Sequence, residues 1–341
     1  MTTSVTPWWK ALKIRQEILS ASGQIDDVQM SLFAAVHGAG AARPPYADAR
    51  YYGEITHPTA RLVDLLTEIA IRVGAGDDYL KARAVTRLDQ GMGGGKSHSC
   101  IGAYHLAADP EALLSTELGR QVTARAKSRT GSTLPTDLGN PHVVVLACDN
   151  MTPGAPVQEY DGPAVTLYER FLWRLFSRDY ALFERYKPFW SDKHKIADAL
   201  RAVNRPVLII VDEVLDYIGN GLDGANKPDL SAQDMAFLRA LLDVVNDVPH
   251  VAMLVVMIAS DAVGVGFLLA WPPGMVEPAV DGPRRRAHGR GGARASRERP
   301  GRRARVPAAR RARDLARRGG ERAAADAFEL AQEGGLAERA R

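Results

Sequence analysis

The stretch that most constrains this chain is Gly91-Met92-Gly93-Gly94-Gly95-Lys96-Ser97-His98. It follows the apolar-alternating run Ala84-Val85-Thr86-Arg87-Leu88 and leads into the helix-like Cys100–Leu106. Strand, glycine loop, Lys-Ser and helix, in that order, form the context of a phosphate-binding loop. Glycines let backbone N–H groups close around phosphate oxygens, and a helix N-terminus adds its positive dipole end. In this reading Gly91, Gly93, Gly94 and Gly95 cradle the phosphates, Lys96 reaches the β- and γ-phosphates, Ser97 binds Mg²⁺ and His98 completes the loop. The spacing departs from the usual pattern at Gln90, where a glycine would stand five residues before Gly95. The rival reading is a glycine-rich turn with an incidental Lys-Ser, so the loop needs a second motif.

Val207-Leu208-Ile209-Ile210-Val211-Asp212-Glu213 supplies one. A solid apolar run ending in two acids reads as a strand buried on both faces, with its carboxylates where it leaves the sheet. Beside a phosphate loop, Asp212 holds hydrated Mg²⁺ and Glu213 orients and deprotonates the attacking water. The bland alternative is a buried strand with a solvated acidic exit. The two motifs together point to a nucleotide triphosphatase using ATP and Mg²⁺.

The sequence pI of 9.1 argues for a nucleic-acid partner only if the charge sits on the folded part. It does not. Of 44 Lys and Arg and 40 Asp and Glu, 18 Arg and 7 acids lie from Arg284 onward, leaving 26 basic and 33 acidic residues, net −7, in Met1–Pro283. Cys100 and Cys148 are too few for a disulfide framework and are not spaced with histidines as a metal site requires. The N-terminus lacks an uninterrupted hydrophobic region, which gives the expectation of a cytoplasmic protein. Val251–Trp271 approaches the length of a membrane span, but Ser260 and Asp261 interrupt it, so no membrane association is expected.

Taken in order, Thr6-Pro7 opens an amphipathic helix carrying Trp8, and Met30–Val36 is a short apolar piece before a Gly, Ala and Pro loop at Gly38–Pro45. A second helix runs from Pro58 to Gly74. The helix after the glycine loop stops near Asp109-Pro110, and Gln121–Gly139 reads as a polar loop. Strands are expected at 83–88, 142–148, 207–212 and 251–258, mostly parallel, with helices on both faces. Asp149 and Asn150 begin a turn at the end of the second strand, where they could face a nucleotide. Helices are expected at Thr166–Phe176 and Ala197–Val203, with the aromatic residues from Tyr180 to Trp190 used in packing. Ser231-Ala-Gln-Asp234 reads as a capping-box start. Ser260, at the end of the fourth strand, is the candidate sensor of the γ-phosphate, with a plain strand-end turn as the alternative.

The order W-W-x-x-L, Met30-Ser31-Leu32, Thr56-His57-Pro58-Thr59, Gly93–His98 and Asp212-Glu213 resembles a prokaryotic family of uncharacterised AAA+-type ATPases encoded beside DNA methyltransferases and helicases in anti-phage islands. The resemblance covers Trp8 to Asp261. It implies a short triple-glycine loop as a family trait, a DNA-linked or defence role, DNA or DNA-modifying partners, and a homo-oligomer. Three segments are expected: a helical 1–55, a three-layer α/β phosphate-loop core at 56–261, and an Arg, Ala and Gly-rich tail at 262–341. The tail reads as a frame-shifted or disordered continuation, which makes this chain a truncated and weakly active ATPase. The competing function is a non-catalytic nucleic-acid-binding scaffold that uses the tail.

Overall fold

The structure, a computed structural model, describes residues 30–40, 43–89, 95–215, 217–218 and 228–257. The chain divides into two units, Met1–Val280 and Asp281–Arg341, and every described residue lies in the first. The expected helix around Trp8, the glycines 91, 93 and 94, Ser260 and the tail lie outside the described residues.

Among the described elements, one or more helices precede each strand. In order they are α1 (Leu32–His37), α2 (Ala49–Ile55), α3 (Ala60–Gly74), β1 (Val85–Asp89), α4 (Lys96–Ala108), α5 (Pro110–Leu114), α6 (Glu117–Thr130), β2 (His142–Ala147), α7 (Gln158–Asp161), α8 (Leu167–Leu175), α9 (Tyr180–Tyr186), α10 (Lys193–Ala202), β3 (Val207–Asp212), α11 (Pro228–Asp247) and β4 (Val251–Met257). Most starts carry a side-chain cap. Asp48, Thr59, Thr116, Thr166, Asp179 and Asp192 each accept from an amide of the first turn, and Thr166 with Glu169 completes a reciprocal capping box.

The four strands form one all-parallel sheet in the order β1-β4-β3-β2, so β4 lies between β1 and β3. The register aligns Asp89 with Met257, Val211 with Val255 and Ala147 with Asp212. The carboxyl ends of all four strands therefore share one edge. Alternate residues sort to opposite faces, as the pleat requires. Val144, Leu146, Ile209, Val211, Met253 and Val255 pack under α8, α10 and α11, while Val145, Leu208, Ile210, Leu254 and Val256 pack under α3, α4 and α6. Helices on both faces are why these strands read as unbroken apolar runs.

Buried polar groups fix how the helices dock. Arg72, 2 % exposed on α3, donates to the carbonyls of Val245, Val248 and Val251 and so ties α3 to the turn between α11 and β4. Arg170, fully buried on α8, pairs with Asp161 at 3.2 Å and donates to the Thr152 carbonyl.

Three expectations are corrected. The presumed loop at Gln121–Gly139 is helical through Thr130, because Leu118, Val122 and Ala126 at four-residue spacing bury a narrow stripe. The helix does not start at Ser231: α11 spans Pro228–Asp247, and Asp234 accepts from the Leu167 amide at 2.9 Å and the Tyr217 hydroxyl at 3.0 Å. Of the aromatic cluster, Phe183 is buried but Tyr180 is 60 % exposed, since a seven-residue helix turns only one face to the core. Val251–Met257 is a strand, and no helix among the described residues is long and apolar enough to cross a membrane. Leu32, Ala35, Tyr46 and Tyr52, from the expected N-terminal segment, share one apolar cluster with α3, α4 and the sheet.

Candidate active site

The site is built where α4 meets the carboxyl edge of the sheet. Gly95 stands at the N-cap of α4 with φ +77°, a left-handed conformation that costs a residue with a side chain, and no atom lies within 4 Å of where a Cβ would be. Having no side chain, it leaves the first amides of α4 uncapped by the N-cap residue. Lys96 and Ser97 follow as the first two helical residues, Lys96 buried and Ser97 partly so. Immediately after them, Ser99 Oγ donates to the Gly95 carbonyl at 2.9 Å and holds the turn closed.

The second motif reaches the same place from the sheet. Asp212 ends β3 at 6 % exposure, and Glu213 follows with φ +52°. A glutamate in that region is strained by about 1 kcal/mol, a local cost found at functional sites. Burial raises the Asp212 carboxyl to about 7; the charges of Glu213 and Asp149 push the same way, while Lys96 and the Glu213 amide oppose. Lys96 thus lies within electrostatic reach of Asp212, at one end of the sheet. The fully buried Cys100, one turn along α4, feels Asp212, Glu213 and Lys96 together, and burial holds its thiol well above the usual range.

Asp149 belongs to this edge through β2, whose Ala147 is aligned with Asp212. The sequence marked Asp149 as a turn residue, and it is exposed in the short helical turn Cys148–Asn150 that follows β2. Asp212 therefore feels two other carboxylates, Glu213 and Asp149, and one ammonium group, Lys96. Among the described residues no cluster of three or more His, Cys, Asp or Glu has the arrangement of a metal cage. The donor set of one hydroxyl, Ser97, and one buried carboxylate, Asp212, fits Mg²⁺, which takes one or two protein oxygens and completes its shell from phosphates and water.

His98, expected beside the nucleotide, has both ring nitrogens engaged elsewhere. Nε2 is 3.1 Å from Thr56 Oγ1 and Nδ1 is 3.1 Å from Met30 Sδ, and the Tyr52 hydroxyl donates to the His98 carbonyl at 2.7 Å. Burial lowers the imidazole's pKa. Thr56 Oγ1 in turn donates to the Tyr52 carbonyl at 2.6 Å, so α2 and the Thr56 turn are fastened to the first turn of α4. Tyr52 was missed in the sequence; its signal is the four-residue spacing to Thr56, which lets the C-cap hydroxyl of α2 reach the Tyr52 carbonyl.

No curated protein and no solved structure matches this chain. One family does match, over residues 9–266, a span that contains every described element and ends close to where the sequence changes character. By that match the chain belongs to the family of the DUF499 N-terminal domain.

Proposed function

We propose that this chain binds ATP with Mg²⁺ through a phosphate loop at residues 91–98, and that the site is of the AAA+ kind that hydrolyses the γ-phosphate. The observation that carries the reading is the meeting, at one carboxyl edge of a parallel sheet, of Gly95-Lys96-Ser97 at a helix N-terminus with Asp212-Glu213 at a strand end. The position of β4 between the two motif strands supports the same class. Ligands of open α/β sheets sit outside the carboxyl ends of the strands.

In this proposal the glycines 91, 93, 94 and 95 surround the phosphates with backbone amides, and Lys96 neutralises charge on the β- and γ-phosphates. Ser97 and Asp212 would hold Mg²⁺, whose chemistry is to screen the developing charge on the phosphoryl oxygens. Glu213 accepts a proton from the attacking water, and Ser260 would read the γ-phosphate. The raised carboxyl of Asp212 suits this role, because a buried acid crowded by two others is one that a cation stabilises. Lys96→Ala tests the reading: it should abolish saturable ATP binding, and unchanged affinity in that variant would refute the proposal.

A further inference from the structure

A cavity separate from the Lys96 and Asp212 residues lies along an outer strand of the described sheet. It has a volume of about 500 Å³ and runs along β2, the terminal strand of the described sheet, between the residues that precede β2 and β3 and the end of α8. That volume is in the range that takes a small organic ligand. Its lining combines three guanidinium groups, Arg174, Arg178 and Arg205, with three aromatic rings, Tyr104, Tyr160 and Trp173. Nothing in the proposed ATP site uses any of these residues.

The positive charge in this cavity is not balanced locally. Arg174 pairs with Asp161 at 2.9 Å, but Asp161 also pairs with Arg170 at 3.2 Å, so one carboxylate serves two guanidiniums. Arg174 Nε and Nη1 are buried without a hydrogen-bond partner. Arg205 donates to His142 Nδ1 at 2.7 Å, while His142 Nε2 donates to the Arg174 carbonyl at 3.0 Å. That arrangement makes His142 a neutral imidazole bridging the two arginines. His37 on the same wall packs with its ring centroid 4.8 Å from that of Tyr160, the two planes tilted by 53°, and its pKa is lowered by burial and then by Arg174 and Arg178, against Asp161 and Glu159. The histidines therefore add no charge; the guanidiniums supply it.

We infer that this cavity is a binding site for a nucleoside phosphate, with the phosphate held by the Arg174, Arg178 and Arg205 guanidiniums and the base lying against the Tyr104, Tyr160 and Trp173 rings. Guanidinium forks match phosphate oxygens in pairs, and aromatic faces take a base whatever its sequence identity. A small anion fits better than a long polyanion. Residues Met1–Pro283 carry a net charge of −7, which repels a polymer outside the groove but leaves the local field inside it intact. The chemistry is shared by a free nucleotide and by the phosphorylated end of a nucleic-acid strand.

The test is calorimetric titration of the full chain with AMP, GMP, CMP and UMP in the absence of Mg²⁺. Monophosphates lack the β- and γ-phosphates assigned to Lys96, so this site is independent of the proposed ATP site. Saturable binding is expected at micromolar to about millimolar concentration, unchanged by Lys96→Ala and weakened at least tenfold in the double variant Arg178→Ser/Arg205→Ser. Both replaced arginines are exposed, so the double variant should keep the melting temperature and the ATP affinity of the parent. A 5′-phosphorylated tetranucleotide added as competitor identifies the source: tighter binding than the monomer indicates a strand end, weaker binding a free nucleotide. Absence of saturable binding, loss of it in Lys96→Ala, equal affinity in the double variant, or preference for a glutamate-rich peptide would each overturn the inference. If Lys96→Ala left ATP binding unchanged while monophosphate binding depended on Arg178 and Arg205, the ATP proposal would fail and this one would stand.

Discussion

Replacing Asp212 by Asn should make the ligand-free protein more stable while removing its Mg²⁺-dependent affinity for ATP. The carboxyl is raised from 3.8 to about 7, first by burial and then by Glu213 and Asp149. At about 1.36 kcal/mol per pH unit, that displacement corresponds to about 4 kcal/mol. The folded state holds the Asp212 proton more tightly than the unfolded state does. Its advantage is therefore complete below about pH 4, shrinks as pH rises toward 7, and is gone above it. Asparagine carries no charge to desolvate and keeps an oxygen for the Glu213 amide. Relaxation around a buried carboxylate reduces the full figure, so a gain of about 1–3 kcal/mol at pH 8 is expected. Urea unfolding of both proteins at pH 5, 6.5 and 8 measures it. The gap should be small at pH 5 and widen with pH, and addition of MgATP should stabilise only the parent. A variant that is equally or less stable at pH 8, or a gap independent of pH, would refute the reasoning.

Glu213→Gln should retain ATP binding and lose turnover by about 10²-fold or more, read in a steady-state phosphate-release assay, because only the proton acceptor is removed. Gly102→Ala would set a Cβ 2.7 Å from the Tyr52 hydroxyl and should destabilise the fold despite the better helix propensity of alanine. Adding Tyr52→Phe should recover part of that loss, a coupling visible in thermal melts of the two single variants and the double. Arg72→Met should cost about 3 kcal/mol or more in chemical denaturation, since three carbonyls between α11 and β4 lose their donor in a buried setting.

The strands were legible because covering on both faces leaves one kind of sequence, the continuous apolar run, and β2, β3 and β4 all have it. Sheet order is a different kind of information. No residue in Val251–Met257 specifies its neighbour, so the placement of β4 between β1 and β3 is visible only in the fold. Helix α6 was hidden by its own exterior: Arg120, Gln121 and Lys127 face water, and its apolar side chains toward the core are a narrow stripe of Leu118, Val122 and Ala126. At α11 a local signal misled, since Ser231 to Asp234 has the spacing of a capping box while both lie inside a helix already formed at Pro228; Asp234 is buried for tertiary reasons that spacing cannot express. The motif residues of the site stood out by chemical type. The groups that fasten the first turn of α4, Tyr52 and Thr56, are ordinary residues whose role appears only when α2 and α4 are brought together.

The central claim is that the two motifs form one nucleotide site. A double-mutant cycle on MgATP affinity with Ser97→Ala and Asp212→Asn tests it most directly. Both residues are assigned to the same ion, so removing either should weaken binding, and the second substitution should add little once the first is made. A coupling of about 0.5–3 kcal/mol is the expected result. Additive losses, or a loss from one substitution alone, would contradict a shared site at the carboxyl edge of this sheet.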